Sequence, residues 1–369
     1  MNTKTKKRVV VAMSGGVDSS VAAALLSKEG YEVVGITMRL FSYPEEKASK
    51  LNKSCCSLED VEDARAVCRK IGAKHYFLNF EKEFNEHVVN YFISEYEKGR
   101  TPYPCLACND RLKFDFLLKR AEFLNADYIA TGHYAQIKHQ KNEWHLIKGK
   151  DETKDQSYVL YNLNQEVLSK LKLPIGKFLK TEIREIANNL ELLNASKPDS
   201  QDICFIPNGN YKEFLEKRIE KNPGKIVDVK GNTVGKHDGV YNFTIGQRKG
   251  LNLNGGFKEP IFVTSIDHKT KTVEVGTSKD LMRTKVIASA VNFLSGEIPQ
   301  NPIKVTAKIR YHSKNSTAIV KILKTHAEII FDEPQRAITP GQAIVFYQGD
   351  EVVGGGIIEG SQIKEKIAA

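Results

Sequence analysis

A chain of 369 residues exceeds one typical domain, and at roughly 100–200 residues per domain its natural division is into two or three. A formal charge of +10 suits a polyanionic partner, although charge without a motif fits a solvated exterior equally well. No apolar stretch is long enough to cross a bilayer, and the basic opening residues run straight into a strand pattern rather than a signal segment, so the sequence reads as cytosolic and without a membrane partner. Six cysteines, Cys55, Cys56, Cys68, Cys105, Cys108 and Cys204, in such a chain argue for chemistry or metal rather than structural disulfides.

The first predicted strand, 9–13, breaks into Ser14-Gly15-Gly16-Val17-Asp18-Ser19-Ser20 and then into a predicted helix over 17–29 that ends at Gly30. Adjacent glycines let backbone N–H groups turn toward one point, three serines add hydroxyls, and the helix presents its positive dipole end there, which makes an oxyanion cradle suited to phosphate. It is not a Walker A loop, because no lysine follows the glycines to reach a β- or γ-phosphate. A strand at 32–38, a helix at 58–71 with Ser57 as N-cap, a strand at 75–80, helices at 82–97 and 110–124 and a strand at 127–131 continue the alternation. This predicts a parallel sheet with helices on both faces. The turns after strands one, two and four, at 14–19, 38–41 and Thr131-Gly132-His133, should converge beyond the carboxyl ends of the strands. From about residue 222 the texture changes to short strands and Gly, Asn and Asp turns, and 284–360 is again β-patterned, as a small barrel or sandwich. Lys304, Lys308 and Arg310 alternate along one predicted strand as a basic face.

Joined to Thr131-Gly132-His133-Tyr134, Cys105-Leu106-Ala107-Cys108-Asn109, Lys154-Asp155-Gln156-Ser157-Tyr158, Asp202-Ile203-Cys204-Phe205-Ile206, Gly246-Gln247-Arg248-Lys249-Gly250 and Arg310-Tyr311-His312, the phosphate turn gives the chain a family likeness. It resembles the bacterial tRNA-specific 2-thiouridylases, within the wider group of PP-loop ATP pyrophosphatases. The resemblance implies an α/β fold with an N-terminal parallel-sheet, Rossmann-like HUP domain (1–208), a small β-rich central domain (209–282) and a C-terminal β-barrel that contacts tRNA (283–369). It implies ATP across Ala12, Met13, Ser14, Gly15, Gly16, Val17, Asp18 and Ser19, with adenine and ribose near Met38 and Gly132, and a share in holding Mg²⁺ for Asp18. By the same likeness Cys204 carries a persulfide, Cys108 is the catalytic nucleophile and the two end as a disulfide. A sulfur-donor relay protein supplies the persulfide. Tyr103, Pro104 and Cys105 line the pocket for the target base, and His133, Lys154, Asp155, Gln156, Arg310, Tyr311 and Gln342 touch tRNA.

One departure is visible. Where the family often has Asn-Pro-Asp before the nucleophile, this chain has Tyr103-Pro104-Cys105, so the carboxylate that would move a proton is absent. The change creates a Cys105-x-x-Cys108 pair which, with Cys204, offers three thiolates to an iron–sulfur cluster as an alternative to the persulfide route. A PP-loop synthetase acting on a small molecule would need neither Cys108 nor Cys204, and a non-catalytic RNA-binding module would leave the phosphate turn unexplained.

Overall fold

The computed structural model describes residues 6–41, 58–199, 203–206, 209–254 and 256–360. The predicted cap Ser57, the pair Cys55 and Cys56, and Asp202 lie outside these residues. Along the first domain the strands are β1 (Arg8–Ala12), β2 (Glu32–Arg39), β3 (Lys74–Asn79), β4 (Tyr128–Ala130), a hairpin of β5 (Ala135–Gln140) and β6 (Glu143–Lys148), and the short β7 (Leu171–Lys172). The helices are α1 (Val17–Lys28), α2 (Leu58–Lys70), α3 (Glu81–Phe84), α4 (Asn90–Glu97), α5 (Pro104–Cys108), α6 (Asp115–Phe123), α7 (Gln165–Lys170), α8 (Lys180–Asn189) and α9 (Tyr211–Glu216).

A parallel sheet runs β3-β2-β1-β4-β7. The valine-rich β1 is buried on both faces, as a central parallel strand must be. Val9 and Val11 pack with residues of α1, α2 and α8, while Val10 joins the opposite cluster around Phe84, Phe92, Leu112 and Leu117. The chain leaves β1 toward β2 and β3 on one side and returns to the other side as β4. The topological switch point, where such sheets bind ligands, therefore lies between the turns that follow β1 and β4.

Two predicted helices take a different form. The segment at 82–97 is α3, a π-helical turn (Asn85–Val89) and α4, and the segment predicted at 110–124 begins earlier, at Pro104, as α5, passes through a second π-helical turn (Asn109–Phe114) and ends as α6. A π turn widens the helix and shifts the phase of its apolar side chains, so a 3.6-residue period does not disclose it. Pro104 at the first helical position explains the earlier start, since its ring presets φ and its missing N–H would have had no partner there.

The central domain has the sheet order β10-β11-β8-β9 from β8 (Gly224–Asp228), β9 (Thr233–His237), β10 (Phe262–Asp267) and β11 (Thr272–Gly276), around Ile226, Phe243, Val263 and Val273. The last six strands are β12 (Met282–Phe293), β13 (Ile303–Lys308), β14 (Ser316–Ile322), β15 (Ala327–Arg336), β16 (Ala343–Gln348) and β17 (Glu351–Gly360). They run antiparallel in the order β12-β15-β14-β13-β16-β17, and pairing of β12 with β17 closes them into a barrel, which decides between barrel and sandwich. Among the described residues no helix is long and apolar enough to cross a membrane.

The β5–β6 hairpin, which the sequence reading did not contain, leaves the first domain and extends the barrel sheet by pairing Leu146 with Val352 and Ile147 with Glu351. Its turn residues Lys141 and Asn142 both have positive φ (49° and 65°), the two-residue geometry that matches strand twist but is more readily recognised when written Asn-Gly. At this junction a cleft of about 210 Å³ is lined in part by Trp144, His145, Phe293 and Glu351 and contains none of the phosphate-turn or cysteine residues. His145 Nδ1 lies 2.7 Å from Glu351 Oε1, and this hydrogen bond raises the imidazole pKa above its ordinary value. Because the folded pKa is the higher one, the pair stabilises fully below the unfolded value near 6.5 and fades as pH rises through the folded value. His145→Gln should therefore lower the melting temperature more at pH 6 than at pH 8.5, by an amount worth under about 1 kcal/mol for so accessible a pair. Equal losses at both pH values would contradict this.

Candidate active site

The phosphate turn is shaped by contacts that exclude side chains. Gly15 has φ +74°, and a Cβ placed on it would stand 2.3 Å from the Asp60 carbonyl oxygen in α2. Gly132, in the turn after β4, lies against the first turn of α1, where a Cβ would come 2.7 Å from the Ser19 nitrogen. The turns after β1 and β4 therefore meet, as the sheet order requires. Met38, near the carboxyl end of β2, is buried in the core beneath the same edge, and Ala12, Met13 and Val17 pack below the turn. Ser19 Oγ accepts from the Ser14 N–H (3.2 Å) and donates to the Gly16 carbonyl (3.1 Å), which fixes the turn from within. No side chain caps α1 at Gly16, so its first turn remains directed at an incoming anion. Asn194, buried and absent from the sequence reading, donates to both the Gly15 carbonyl and Ser20 Oγ at 2.8 Å.

Asp18, at the start of α1, is not solitary. Lys180 Nζ, from the first residue of α8, donates to both its carboxylate oxygens (2.7 and 2.8 Å), and the Tyr134 hydroxyl donates to Oδ1 at 2.7 Å. Burial, and then the neighbouring Asp18 charge, push the Tyr134 phenol pKa far up, so it remains a donor. Lys180 also meets Asp199 at 2.7 Å, and Lys154 (2.8 Å) and Arg184 (3.1 Å) share that carboxylate. Burial acts to raise the Asp199 pKa, but hydrogen bonds from Lys154 and Lys180 outweigh it and hold it below the ordinary value. One carboxylate beside a phosphate turn is the donor set Mg²⁺ uses when phosphate oxygens and water complete its shell, so Asp18 fits that ion.

The segment entering α5 is held by both other domains. The Thr101 N–H donates to the Pro340 carbonyl (2.9 Å), Gln342 Nε2 donates to the Thr101 carbonyl (2.8 Å), and Thr101 Oγ1 donates to Thr244 Oγ1 (3.1 Å). Tyr103 then stacks on Tyr311 of the barrel domain (6.2 Å between centroids, 26° between planes), with Tyr158 edge-on to both rings. Burial, with Cys105 adding to it, raises the Tyr103 pKa, and burial with Asp155 and Cys105 raises that of Tyr311 to about 12. Cys105 thus sits exposed at an aromatic platform built from two domains. Cys108, three residues on, is buried, and Cys204 is half-buried against the same apolar cluster, with Phe205 packed on Phe84, Phe92 and Phe214. The phosphate turn and the cysteine helix are linked through Gly132 and His133, whose ring lies 6.4 Å from that of Phe114 in the π turn following Cys108.

Among the described residues no group of three His, Cys, Asp or Glu side chains is placed to hold a metal. Cys105 is exposed and Cys108 buried, so the two face different surroundings from one short helix.

The residues read as tRNA contacts are engaged within the protein. His133 is buried, bonded to the Thr131 hydroxyl (2.8 Å) and held well below its ordinary pKa by burial, so it is neutral. Asp155 accepts from the Gly149 and Ser157 N–H groups and from Ser157 Oγ. Gln156 brackets the Tyr134 backbone by accepting from its N–H and donating its own N–H to the Tyr134 carbonyl. Arg310, beyond the end of β13, donates to the Ala337 carbonyl (2.5 Å), Thr339 Oγ1 (2.6 Å) and Ile245 carbonyl (3.4 Å), joining barrel to central domain. Lys304 is exposed on β13 and Lys308 half-buried on the same outward register, while Val305 and Ala307 face the core.

Three family models cover the chain in succession: a tRNA methyl transferase HUP domain at residues 7–208, a tRNA methyl transferase PRC-barrel domain at 212–277 and an aminomethyltransferase beta-barrel domain at 283–358. They agree with a parallel-sheet first domain, a small β central domain and a closed barrel. A tRNA-specific 2-thiouridylase MnmA of Carboxydothermus hydrogenoformans is 48% identical, over 97% of this chain and 99% of its own length. Proteins of the same name from Acetivibrio thermocellus and Clostridium perfringens are each 47% identical over 96% of this chain, and over 100% and 99% of their own. With relatives so similar along nearly its whole length, and family models covering it in succession, the chain belongs to the tRNA-specific 2-thiouridylase family.

Proposed function

We propose that the chain is an ATP-dependent tRNA uridine 2-sulfurtransferase acting on the wobble uridine, U34, in the cytoplasm. The observation that carries the reading is the linkage of an anion-shaped turn, through Gly132 and His133, to the helix bearing Cys108, with Cys204 on the same apolar cluster. The first domain (1–208) does the chemistry and the C-terminal barrel (283–369) contacts the tRNA, with the small β-rich domain (209–282) between them in the chain. Methyl transfer, which the domain descriptions name, leaves the phosphate turn and the paired cysteines without a task.

The C2 oxygen of a uracil is a poor leaving group and must be activated. It attacks the α-phosphorus of ATP, pyrophosphate leaves, and C2 then carries an adenylate. Ser14, Gly15, Gly16, Val17, Ser19 and the start of α1 supply donors to the phosphates, while Ala12, Met13, Met38 and Gly132 shape the nucleoside end. Asp18 would hold Mg²⁺, which when bound would supply charge to offset that developing on the phosphates. The outer sulfur of a Cys204 persulfide, loaded by a sulfur-donor relay protein, attacks C2 and AMP departs with the original oxygen. The Cys108 thiolate then attacks Cys204 Sγ, which breaks the S–S bond, leaves sulfur on C2 and forms a Cys108–Cys204 disulfide. Two cysteines are oxidised as the transferred sulfur is reduced, and an external thiol restores them. The base, splayed from its loop, rests at Tyr103, Pro104 and Cys105, where two neutral phenols give a stacking platform. Lys154, Asp155, Gln156, His133, Arg310, Tyr311 and Gln342 border the tRNA path, either directly or by fixing the domain junction.

Incubation with ATP, Mg²⁺, tRNA and a persulfide donor should give 2-thiouridine by mass spectrometry and one pyrophosphate per product. Product without ATP, or pyrophosphate release with no thiolation under any sulfur donor, would overturn the reading. The outward lysines of β13 carry a second expectation. tRNA affinity should fall on the order of a hundredfold or more between roughly 50 and 200 mM salt, and a flat salt profile in a filter-binding assay would remove the basic face from the interface.

A further inference from the structure

The chain that leads into α5 belongs to the first domain, yet it is gripped residue by residue from the other two. α4 ends in a left-handed turn at Gly99 (φ +67°), where the Gly99 N–H donates to the Tyr96 carbonyl and the Arg100 N–H to the Glu95 carbonyl (both 2.9 Å), the paired bonds of a glycine-terminated helix. A Cβ on Gly99 would stand 2.5 Å from Ile266 Cγ2, so this turn packs against β10 of the central domain. Arg100, aimed by the turn, spans the junction with the barrel. Its Nε donates to Glu95 Oε2 (2.5 Å), Nη1 and Nη2 both donate to the Glu359 carboxylate of β17, and Nη2 also donates to the Ile358 carbonyl (3.4 Å). We propose that Arg100 is a positioning residue for the target-base pocket, tying α5 to the barrel through Glu359 so that Tyr103 and Cys105 stand where the base is seated. The assignment rests on the reading that the base lies at Tyr103, Pro104 and Cys105.

Three observations support it. The contact is part of a closed circuit: the Ile358 carbonyl that meets Arg100 also accepts from the Gly341 N–H (2.9 Å), the Ile358 N–H donates to the Gln342 carbonyl (2.8 Å), and the Gln342 side chain returns to the carbonyl of Thr101. The approach is close enough that a Cβ on Gly341 would come 3.0 Å from the Thr101 backbone. Next, Glu95 is buried and the Arg100 side chain only 18% exposed, a setting in which a forked guanidinium fixes orientation as well as charge, while a lysine ammonium acts as a point charge. Finally, Glu359 is held from the barrel side by Ser289 Oγ of β12. Burial acts to raise its pKa, but the bonds from Arg100 and Ser289 outweigh this and hold it below the ordinary value. Thr101 is joined to Tyr103 by buried Pro102 alone, whose ring fixes φ, so a shift at Arg100 carries through to the ring stacked on Tyr311.

An ion pair that only stabilises the fold would lower the melting temperature and leave turnover of the folded enzyme alone, whereas a positioning residue acts on the seated base. With the full chain, ATP, Mg²⁺, tRNA and a persulfide donor, Arg100→Gln should lower kcat for 2-thiouridine formation about tenfold to a hundredfold, with KM for tRNA and ATP affinity each within about threefold of the unaltered chain. Arg100→Lys keeps the charge without the fork and should recover about threefold or more of that loss. Glu359→Gln should lose about threefold to tenfold, and the Arg100→Gln, Glu359→Gln double variant no more than Arg100→Gln alone. Alkylation of the exposed Cys105, followed by mass spectrometry, reports on α5 itself and should quicken about threefold or more in Arg100→Gln. An unchanged Cys105 rate, a raised KM for tRNA without loss of kcat, no recovery in Arg100→Lys, or additive losses in the double variant would each overturn the assignment. If Arg100→Gln does not fold, by its melting curve, Glu359→Gln decides on the same kcat and Cys105 readouts. A quickened Cys105 with undiminished kcat would instead show that α5 moves without consequence, and would remove the pocket reading on which the assignment rests.

Discussion

Cys204→Ser and Cys108→Ser should each reduce 2-thiouridine formation by at least about a thousandfold, and the double variant should lose no more than either single, because the two thiols serve one sequence of steps. The two blocks are distinguishable. Cys204→Ser has no persulfide to load, so a sulfur donor leaves no labile sulfur on the protein. Cys108→Ser loads normally and stalls after attack on C2, so tRNA should accumulate bound to Cys204 through a disulfide that dithiothreitol releases. ATP affinity should remain within about threefold of the unaltered chain in both, since neither sulfur is part of the phosphate turn. Mass spectrometry of protein and tRNA under non-reducing conditions reads all of these. Full thiolation by either variant would contradict the sulfur route and favour a synthetase that ignores both residues.

Gly15→Ala is the second change with a large expected effect. The methyl group would meet the Asp60 backbone at 2.3 Å from a residue already at φ +74°, so either the turn or the start of α2 must move. Strain of this kind costs about 1–3 kcal/mol, and displaced N–H groups no longer converge, so ATP affinity should fall by about a hundredfold or more. Gly16→Ala is the control. Gly16 has φ −81° and its added Cβ would find nothing closer than Ser14 Oγ at 3.4 Å, so stability should change by less than about 1 kcal/mol. Comparable melting temperatures for Gly15→Ala and the unaltered chain, with unchanged ATP binding, would mean that the turn tolerates a side chain where its packing excludes one.

The parts of the fold and site that were legible are those written in consecutive residues. The phosphate turn announces itself because glycine, hydroxyl and helix start must be adjacent to make a cradle, and Val9 to Val11 read as a buried strand because a central parallel strand is apolar on both faces. What was not legible depends on residues distant in the chain or on broken periodicity. Lys180 and Asn194 carry no local mark, for their roles come from packing against α1. The π turns at 85–89 and 109–114 carry one residue more than the helical period anticipates, which also hid the start of α5 at Pro104 beside Cys105 and Cys108. The hairpin β5–β6 has polar strands and a Lys-Asn turn, so neither its existence nor its joining of the barrel sheet could be anticipated. Asp155 and Gln156, which the resemblance places against tRNA, also bond backbone groups around Gly149 and Tyr134, a role that nothing in their local sequence marks.

The central claim is that the uridine C2 oxygen is adenylated and leaves with AMP. tRNA carrying ¹⁸O at C2 of the wobble uridine, incubated with ATP, Mg²⁺ and a persulfide donor, tests it in one measurement of the released AMP by mass spectrometry. The account predicts one ¹⁸O atom in the phosphate of AMP for each 2-thiouridine formed. AMP without the label, alongside normal thiolation, would show that the oxygen leaves by another path and would contradict it.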